Sequence, residues 1–321
     1  MNNETLTVQV SGKWVEAQDI CGFELRNPDG TSLPAFTAGS HIDVHLPGGL
    51  VRQYSLCGDP GSADRYEVAV LRDAGGRGGS IAIHDLVHVG DFLQVSVPRN
   101  HFAIEQNATR HLLLAGGIGV TPILSMAEYL SSRGESFDMH YCTRSESRTA
   151  FIARISESDF CDRVQFHYDN GDASQRFDLT STLTEEQEST HLYVCGPRGF
   201  MDGVLSAARA QGWTEDRLHY EFFSGTVTKL EGDAPFQVRL ASSGAVVDVP
   251  AGSTVVEALA THGVEILTSC EQGVCGTCLT RVLEGQPDHR DSYLTEEERA
   301  SGDQFMPCCS RSKSTLLVLD L

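Results

Sequence analysis

The spacing of apolar residues changes character twice along the 321 residues. Up to about residue 103, apolar and polar positions alternate. Examples are Thr5-Leu6-Thr7-Val8-Gln9-Val10, His41-Ile42-Asp43-Val44-His45-Leu46 and Tyr66-Glu67-Val68-Ala69-Val70-Leu71. That period predicts strands with one buried face. Pro28-Asp29-Gly30 and Pro47-Gly48-Gly49 are turn signals between them. Short strands with regular punctuation imply an antiparallel β-barrel or sandwich.

From about 108 to 225 the grammar becomes strand then helix. His111-Leu112-Leu113-Leu114-Ala115 is a continuous apolar run, as in a strand covered on both faces. Gly116-Gly117-Ile118-Gly119-Val120 follows, with Thr121 in the place of an N-cap and Pro122 at the first helical position. Ile123, Met126, Ala127 and Leu130 form the inward stripe of the helix. The same order recurs at His191-Leu192-Tyr193-Val194-Cys195-Gly196-Pro197, where Phe200, Met201, Val204, Leu205 and Ala208 mark a second helix. Met139–Cys142 and Val164–Tyr168 are further strands. The segment predicts an α/β doubly wound parallel sheet.

A polar stretch from Ser224 to Pro235 has no period and reads as a linker. Beyond it, Phe236–Leu240 and Ala245–Val249 flank Ser242-Ser243-Gly244 as a hairpin. Ser253 or Thr254 caps a short helix that stops near Gly263. Strand, strand, helix, loop is the order of an α+β β-grasp domain. The chain is therefore expected to be multi-domain.

Composition narrows the functional classes. The formal net charge is −20, which disfavours nucleic acid and anionic membranes as partners. No run of 18 apolar residues is present, so no transmembrane helix is expected. Met1-Asn2-Asn3-Glu4-Thr5 has neither a basic n-region nor an apolar h-region, and no signal peptide is expected. Half of the ten cysteines crowd between Cys270 and Cys309; the other five (Cys21, Cys57, Cys142, Cys161, Cys195) have the apolar neighbours of buried free thiols. A reducing, cytoplasmic compartment with a thiolate metal site follows as the expectation.

Cys270-x4-Cys275-x2-Cys278, with Cys308 following after a gap of 29 residues, has the spacing of a plant-type [2Fe–2S] loop. Gly273 and Gly276 let the backbone wrap closely and aim N–H groups at the sulfurs. A structural zinc site uses the same ligands but favours paired C-x2-C knuckles. Cys308 is preferred over Cys309 as the fourth ligand.

Arg52-Gln53-Tyr54-Ser55 places a cationic fork, an aromatic face and a hydroxyl on one predicted strand. Gly75-Gly76-Arg77-Gly78-Gly79-Ser80 precedes a short helix near Ile81–His84, whose N-terminus suits an anion. Each signal alone has an ordinary reading, as surface alternation or a flexible hairpin tip. The Gly116–Pro122 turn suits a pyrophosphate but is not the G-x-G-x-x-G fingerprint. Cys195-Gly196-Pro197 ends a strand at the edge where open α/β sheets bind ligands. Glu221-Phe222-Phe223 closes the segment and by itself means only core packing.

In combination the motifs are specific. Arg52-x-Tyr54-Ser55, Gly78-Gly79-Ser80, Gly116–Pro122, Cys195-Gly196-Pro197 and Glu221-x-Phe223 occur in the order of ferredoxin–NADP⁺ reductase-like flavoproteins. With the ferredoxin-like C-terminus, the chain resembles the phthalate dioxygenase reductase family. Gly90-Asp91-x-Leu93, Pro98-x-Asn100-x-Phe102, Asp288-His289-Arg290-Asp291 and Cys308-Cys309-Ser310-Arg311 extend the likeness over essentially the whole chain. The resemblance implies an FMN-binding barrel over 1–103, an NAD-binding domain over 104–226 and a [2Fe–2S] domain over 233–321. It implies that Arg52 and Ser80, with Gly78 and Gly79, hold the flavin phosphate, that Gln53, Tyr54 and Ser55 contact the flavin, and that Phe223 stacks on its ring. Gly117, Thr121, Cys195 and Gly196 would line the nicotinamide nucleotide site, with Thr143 and Arg144 toward the adenosine half. Ser55, Cys195, Glu221 and Phe223 are the implied catalytic set. Asp169 and Asp172 tilt the reading toward NADH, while Arg144 and Arg148 leave NADPH open. The implied partner is a terminal Rieske-type oxygenase. Other acceptors (a haem protein or a small molecule) and a non-catalytic redox-sensing role are the alternatives.

Overall fold

The computed structural model describes residues 5–62, 64–172, 175–184, 189–223, 233–268 and 271–321. The chain forms two compact units, Met1–Phe223 and Ser224–Leu321.

The first unit opens with β1 (Thr5–Ala17), β2 (Ile20–Arg26), β3 (Ser40–Leu46), β4 (Leu50–Ser55), β5 (Tyr66–Leu71), helix α1 (Gly79–Leu86), β6 (Phe92–Ser96) and the short β7 (Arg99–Asn100). The strands run antiparallel in the order β4-β3-β6-β1-β2-β5. A bridge between Leu56 and Val68 joins the two edges and closes the barrel. Alternation does what the sequence predicts: Val8, Val10, Ile42, Val44, Val68 and Val70 all turn into one core. Burying each such side chain contributes roughly 1.5–3 kcal/mol.

A five-stranded sheet follows in the same unit. It comprises β8 (Arg110–Gly116), α2 (Val120–Ser132), β9 (Phe137–Thr143), α3 (Ile152–Ser156), β10 (Val164–Tyr168), α4 (Leu179–Thr184), β11 (Thr190–Cys195), α5 (Arg198–Ala210) and β12 (Leu218–Glu221). All pairings are parallel, in the order β10-β9-β8-β11-β12. The order reverses beside β8, so β8 and β11 flank the crevice where ligands of such sheets bind. Thr121 is not the N-cap of α2. A 3₁₀ turn over Gly117–Gly119 carries the chain into the helix, Gly119 occupies the cap, and Thr121 donates its hydroxyl to Ile118 O at 3.1 Å. Helix α1 likewise starts earlier than the sequence reading, at Gly79.

Barrel and sheet share one core: Ile20, Cys57, Ala69 and Phe102 pack with Ala115, Val120, Tyr141 and Phe151. Ion pairs reinforce the junction. Arg154 reaches Glu67 of β5 at 2.8 Å and Glu128 of α2 at 2.7 Å. Glu16 of β1 accepts the Phe151 N–H at 2.8 Å, where Phe151 has φ +64°. Of the scattered cysteines, Cys57 and Cys195 are buried and Cys21 and Cys142 half-buried; Cys161 is exposed, against expectation, because it sits in a surface 3₁₀ turn.

The second unit contains β13 (Phe236–Leu240), β14 (Val246–Val249), α6 (Val255–Ala260), β15 (Thr280–Glu284), β16 (Pro287–Asp288), α7 (Glu296–Ser301), β17 (Gln304–Phe305), β18 (Arg311–Ser312) and β19 (Leu316–Leu319). The main sheet has the order β14-β13-β19-β15-β17, with β13 and β19 parallel. Helix α6 packs Val255, Ala258 and Leu259 into its core. Thr254 caps it in a full capping box with Glu257. This is the expected β-grasp. The linker at 224–232 lies outside the described residues. Among the described residues no helix is long and apolar enough to cross a membrane.

Candidate functional site

The barrel contributes the edge of a cradle. On β4, Arg52 donates to Val51 O and to Arg77 O, both of which hold its side chain against the glycine loop. A Cβ on Gly79 would lie 2.4 Å from Arg52 Cγ, so only glycine lets the arginine pass there. Gly78 has φ +80° and caps α1, whose first-turn amides have no partner within the helix. Arg52 and that helix end are thus a ready anion site. Ser80 uses its hydroxyl internally, bonding Asp73 N at 3.1 Å and Asp73 O at 3.2 Å. Next along β4, Gln53 Nε2 and Tyr54 Oη are buried and have no hydrogen-bond partner. Orphaned buried polar atoms cost about 1–3 kcal/mol each unless a ligand satisfies them. These atoms fit a polar-edged planar ligand with a phosphate tail, which is the shape of the implied flavin.

Ser55 ends β4 and is almost fully buried. Its Oγ lies 3.4 Å from Glu221 Oε2, at the end of β12. Cys195 stands opposite Glu221 in the β11–β12 pairing. Burial, then the Glu221 carboxylate, pushes the Cys195 thiol well up, so it stays protonated. The structure therefore brings together three of the four implied catalytic residues. Phe223 follows two residues after Glu221 and leaves 37% of its surface exposed, so its ring is open to a stacking partner.

The strand ends around Cys195 are packed backbone to backbone. A Cβ on Gly119 would meet Cys195 O at 2.3 Å, and one on Gly196 would meet Gly116 Cα at 2.9 Å. Gly117 has φ +52° and open space beside it. This is the close approach a nucleotide backbone requires. Thr121 is buried behind the turn. Thr143 turns its hydroxyl inward to Thr149 at 2.6 Å and Ser145 O at 3.2 Å, so it shapes the loop and does not face outward. Arg144 is exposed beside it, as are Asp169 and Asp172. Arg148 is engaged by Asp19 at 3.2 Å.

Sequence reasoning missed His41 and His101. His41 pairs directly with Ser55 across β3 and β4. It is 1% exposed, lies 3.7 Å from Glu221 Oε1 through Nδ1, and stacks on His101 at 5.5 Å. The signal exists only once the strand register is known.

In the second unit, Cys275, Cys278, Cys308 and Cys309 are all buried. Cys270 lies outside the described residues. Among the described residues no three His, Cys, Asp or Glu side chains already form a metal-holding group. The loop nevertheless fits a cluster in its shape. Gly273 (φ +71°) and Gly276 (φ +73°) leave no room for a Cβ, which would strike Cys309 Sγ at 2.3 Å and the Tyr293 ring at 2.4 Å. Cys308 lies within hydrogen-bonding reach of Cys278, and the Gly273 amide is directed at its sulfur. Cys309 lies beside Cys308 with its Sγ against Gly273, and also reaches Met306 O and Ser310 Oγ, at 3.7 and 3.8 Å. The flanking motifs are staples. Arg290 pairs with Asp288 and Asp233 at 2.7 and 2.6 Å, and Arg311 donates to Ser253 O, Ala234 O and Pro250 O.

Residues 238–313 match the 2Fe–2S iron–sulfur cluster binding domain, and residues 95–218 match the N-terminal domain of the dimethylamine monooxygenase subunit DmmA-like family. Vanillate O-demethylase oxidoreductase of a Pseudomonas species is 50% identical over 98% of this chain and 100% of its own. Phthalate dioxygenase reductase of Burkholderia cepacia is 41% identical over 98% and 97%. A solved phthalate dioxygenase reductase, described as a modular structure for electron transfer from pyridine nucleotides to [2Fe–2S], superposes with a TM-score of 0.78 at 41% identity, over 99% of this chain and 98% of its own. An intact type IV self-sufficient cytochrome P450 monooxygenase gives a TM-score of 0.85 at 41% identity, covering 99% of this chain but 41% of the larger one. The chain belongs to the phthalate dioxygenase reductase family, together with the vanillate O-demethylase oxidoreductases.

Proposed function

We propose that the chain is the NADH-oxidising reductase of a two-component Rieske-type oxygenase, working in the cytoplasm. It is an NAD(P)H-dependent oxidoreductase with FMN and a [2Fe–2S] cluster as cofactors. FMN, when bound, supplies the conversion between a two-electron hydride donor and a one-electron cluster. The observation that carries the reading is the meeting of Ser55 from the barrel with Glu221 and Cys195 from the parallel sheet. A flavin ring edge and a nicotinamide would face each other there.

In this reading Arg52 and the first turn of α1, from Gly78 through Ser80, hold the phosphate. Gln53 and Tyr54 satisfy their orphaned atoms on the flavin edge, and Phe223 covers the ring. Gly117, Gly196 and the Cys195 backbone admit the nicotinamide nucleotide; Thr121 and Thr143 hold the loops in shape, and Arg144 lies toward the adenosine half. Asp169 and Asp172 disfavour a 2′-phosphate, which supports NADH. Cys270, Cys275, Cys278 and Cys308 hold the cluster. The division follows as barrel 1–103, nucleotide domain 104–226 and cluster domain 233–321.

The last domain carries 13 acidic against 6 basic residues, which suits a basic docking patch on the oxygenase. A haem acceptor is the second reading, favoured by the match of 99% of this chain to 41% of the self-sufficient cytochrome P450 monooxygenase. The deciding experiment is reconstitution with the oxygenase encoded beside this protein. NADH-dependent turnover that falls with added salt supports the proposal, and no turnover with that oxygenase but reduction of a P450 supports the second reading.

A further inference from the structure

The loop over 144–151 leaves β9 at its carboxyl end, the edge where ligands of such sheets gather. Asp169 N donates to Thr143 O at 3.0 Å and Asn170 N to Arg144 O at 3.2 Å, so the ends of β9 and β10 lie side by side. In dinucleotide sites an acidic side chain takes the ribose 2′-hydroxyl, and an arginine nearby takes a 2′-phosphate. The loop carries Arg144, Glu146 and Arg148, and the β10 end carries Asp169 and Asp172.

Three contacts tie that loop to the hairpin between β1 and β2 of the barrel. Glu16 Oε1 accepts the Phe151 N–H at 2.8 Å, while Trp14 Nε1 donates to the other carboxylate oxygen at 2.6 Å. Gln18 N donates to Ser147 O at 2.9 Å. Asp19 Oδ2 lies 3.2 Å from Arg148 Nη2. Gln18 and Asp19 form the turn itself, and Asp19 has φ +64°, a left-handed conformation that Asp and Asn tolerate better than most side chains. Its carbonyl accepts the Arg72 N–H at 2.7 Å, which fixes the turn. Both side chains of the Asp19–Arg148 pair are partly exposed, so the pair adds little to stability. It does change the local charge. With Arg148 neutralised, Arg144 alone stands against Glu146, Asp169 and Asp172.

We propose that Asp19, a barrel residue, sets the nucleotide preference of the parallel sheet by drawing Arg148 away from a 2′-phosphate. Asp19 touches no nucleotide; it is a positioning residue that acts through Arg148. The proposal rests on the NADH reading above and adds a determinant from the barrel to Asp169 and Asp172.

The test uses the full-length holoprotein and follows anaerobic flavin bleaching by NADH and by NADPH. Asp19→Asn keeps the left-handed turn and removes the charge. The NADPH-to-NADH ratio of second-order bleaching rates then rises about three- to tenfold. The gain lies in a lower half-saturating NADPH concentration, with the limiting rate retained. 2′,5′-ADP, which has the 2′-phosphate and no nicotinamide, competes better against NADH by a similar factor, and 5′-AMP does not. Adding Arg148→Ala to Asp19→Asn cancels both gains. A change common to NADH and NADPH is what a merely structural hairpin would give, and it overturns the proposal, as does a gain that survives Arg148→Ala. An unchanged ratio in Asp19→Asn, with wild-type flavin bleached by NADH, overturns the proposal and leaves the reductase reading standing. Wild-type flavin bleached by neither nucleotide overturns that reading, and the proposal with it.

Discussion

Ser55 Oγ and Glu221 Oε2 approach to 3.4 Å although 166 residues separate them. One belongs to the last residue of a barrel strand and the other to the last residue of a parallel strand. In the proposed reading their contact marks the place where a hydride donor and acceptor would meet. Glu221→Gln keeps the shape and removes the charge. It should slow NADH-dependent flavin bleaching by roughly ten- to a hundredfold in stopped flow, with flavin still bound.

Arg52 passes over Gly79 at a distance that admits no Cβ. Gly79→Ala should displace the arginine and weaken flavin retention by about 1–3 kcal/mol, an order of magnitude or more in the dissociation constant. Fluorescence of released flavin on dilution measures it. Unchanged retention would remove Arg52 from the phosphate site.

Gly119→Ala places a methyl 2.3 Å from Cys195 O, a backbone atom that cannot swing aside. The expected cost is about 1–3 kcal/mol, read as a fall of several degrees in the first unit's melting temperature. Weaker NADH binding should accompany it, because the same contact shapes the strand ends.

Acid sensitivity has a named source. His140 stacks on His167 at 5.2 Å, and its ring nitrogen lies 2.9 Å from that of His167. Burial, then His167, pushes its pKa from 6.5 down to about 4. The unfolded chain therefore binds the proton first as pH falls. Stability is fully present above pH 6.5 and is lost as pH drops toward 4. His140→Phe should flatten the fall in denaturation midpoint across that window; an unchanged slope would assign the acid lability elsewhere.

Much of this was legible in the sequence, for physical reasons. Period-two alternation marks Ile42 and Val44, because a half-buried strand requires it. The cysteine spacing and Gly273 mark the cluster loop, because a close wrap excludes any Cβ. Chemistry that depends on register was not legible. His41 looks like any alternating polar residue until β3 pairs with β4 and sets it opposite Ser55. Thr121 matched the N-cap pattern, yet an intervening 3₁₀ turn moved the cap to Gly119. Thr143 stood at a strand end facing the expected ligand edge, but its hydroxyl found Thr149 six residues on.

Cys308 is the proposed fourth ligand, favoured by the gap of 29 residues after Cys278. Cys308 neighbours Cys278 and the Gly273 amide, and Cys309 lies beside it with its Sγ against Gly273. Cys309→Ser should retain the [2Fe–2S] absorption and Cys308→Ser should lose it. The reverse pattern would exchange the two.

Electron flow through the chain is tested most directly by anaerobic mixing of NADH with wild-type protein and Cys275→Ser. In the wild type, flavin absorbance should bleach first and the reduced-cluster EPR signal should follow. In Cys275→Ser the flavin should still bleach and no cluster signal should appear. Loss of flavin bleaching in the variant, or a wild-type flavin that neither NADH nor NADPH bleaches, would contradict the account.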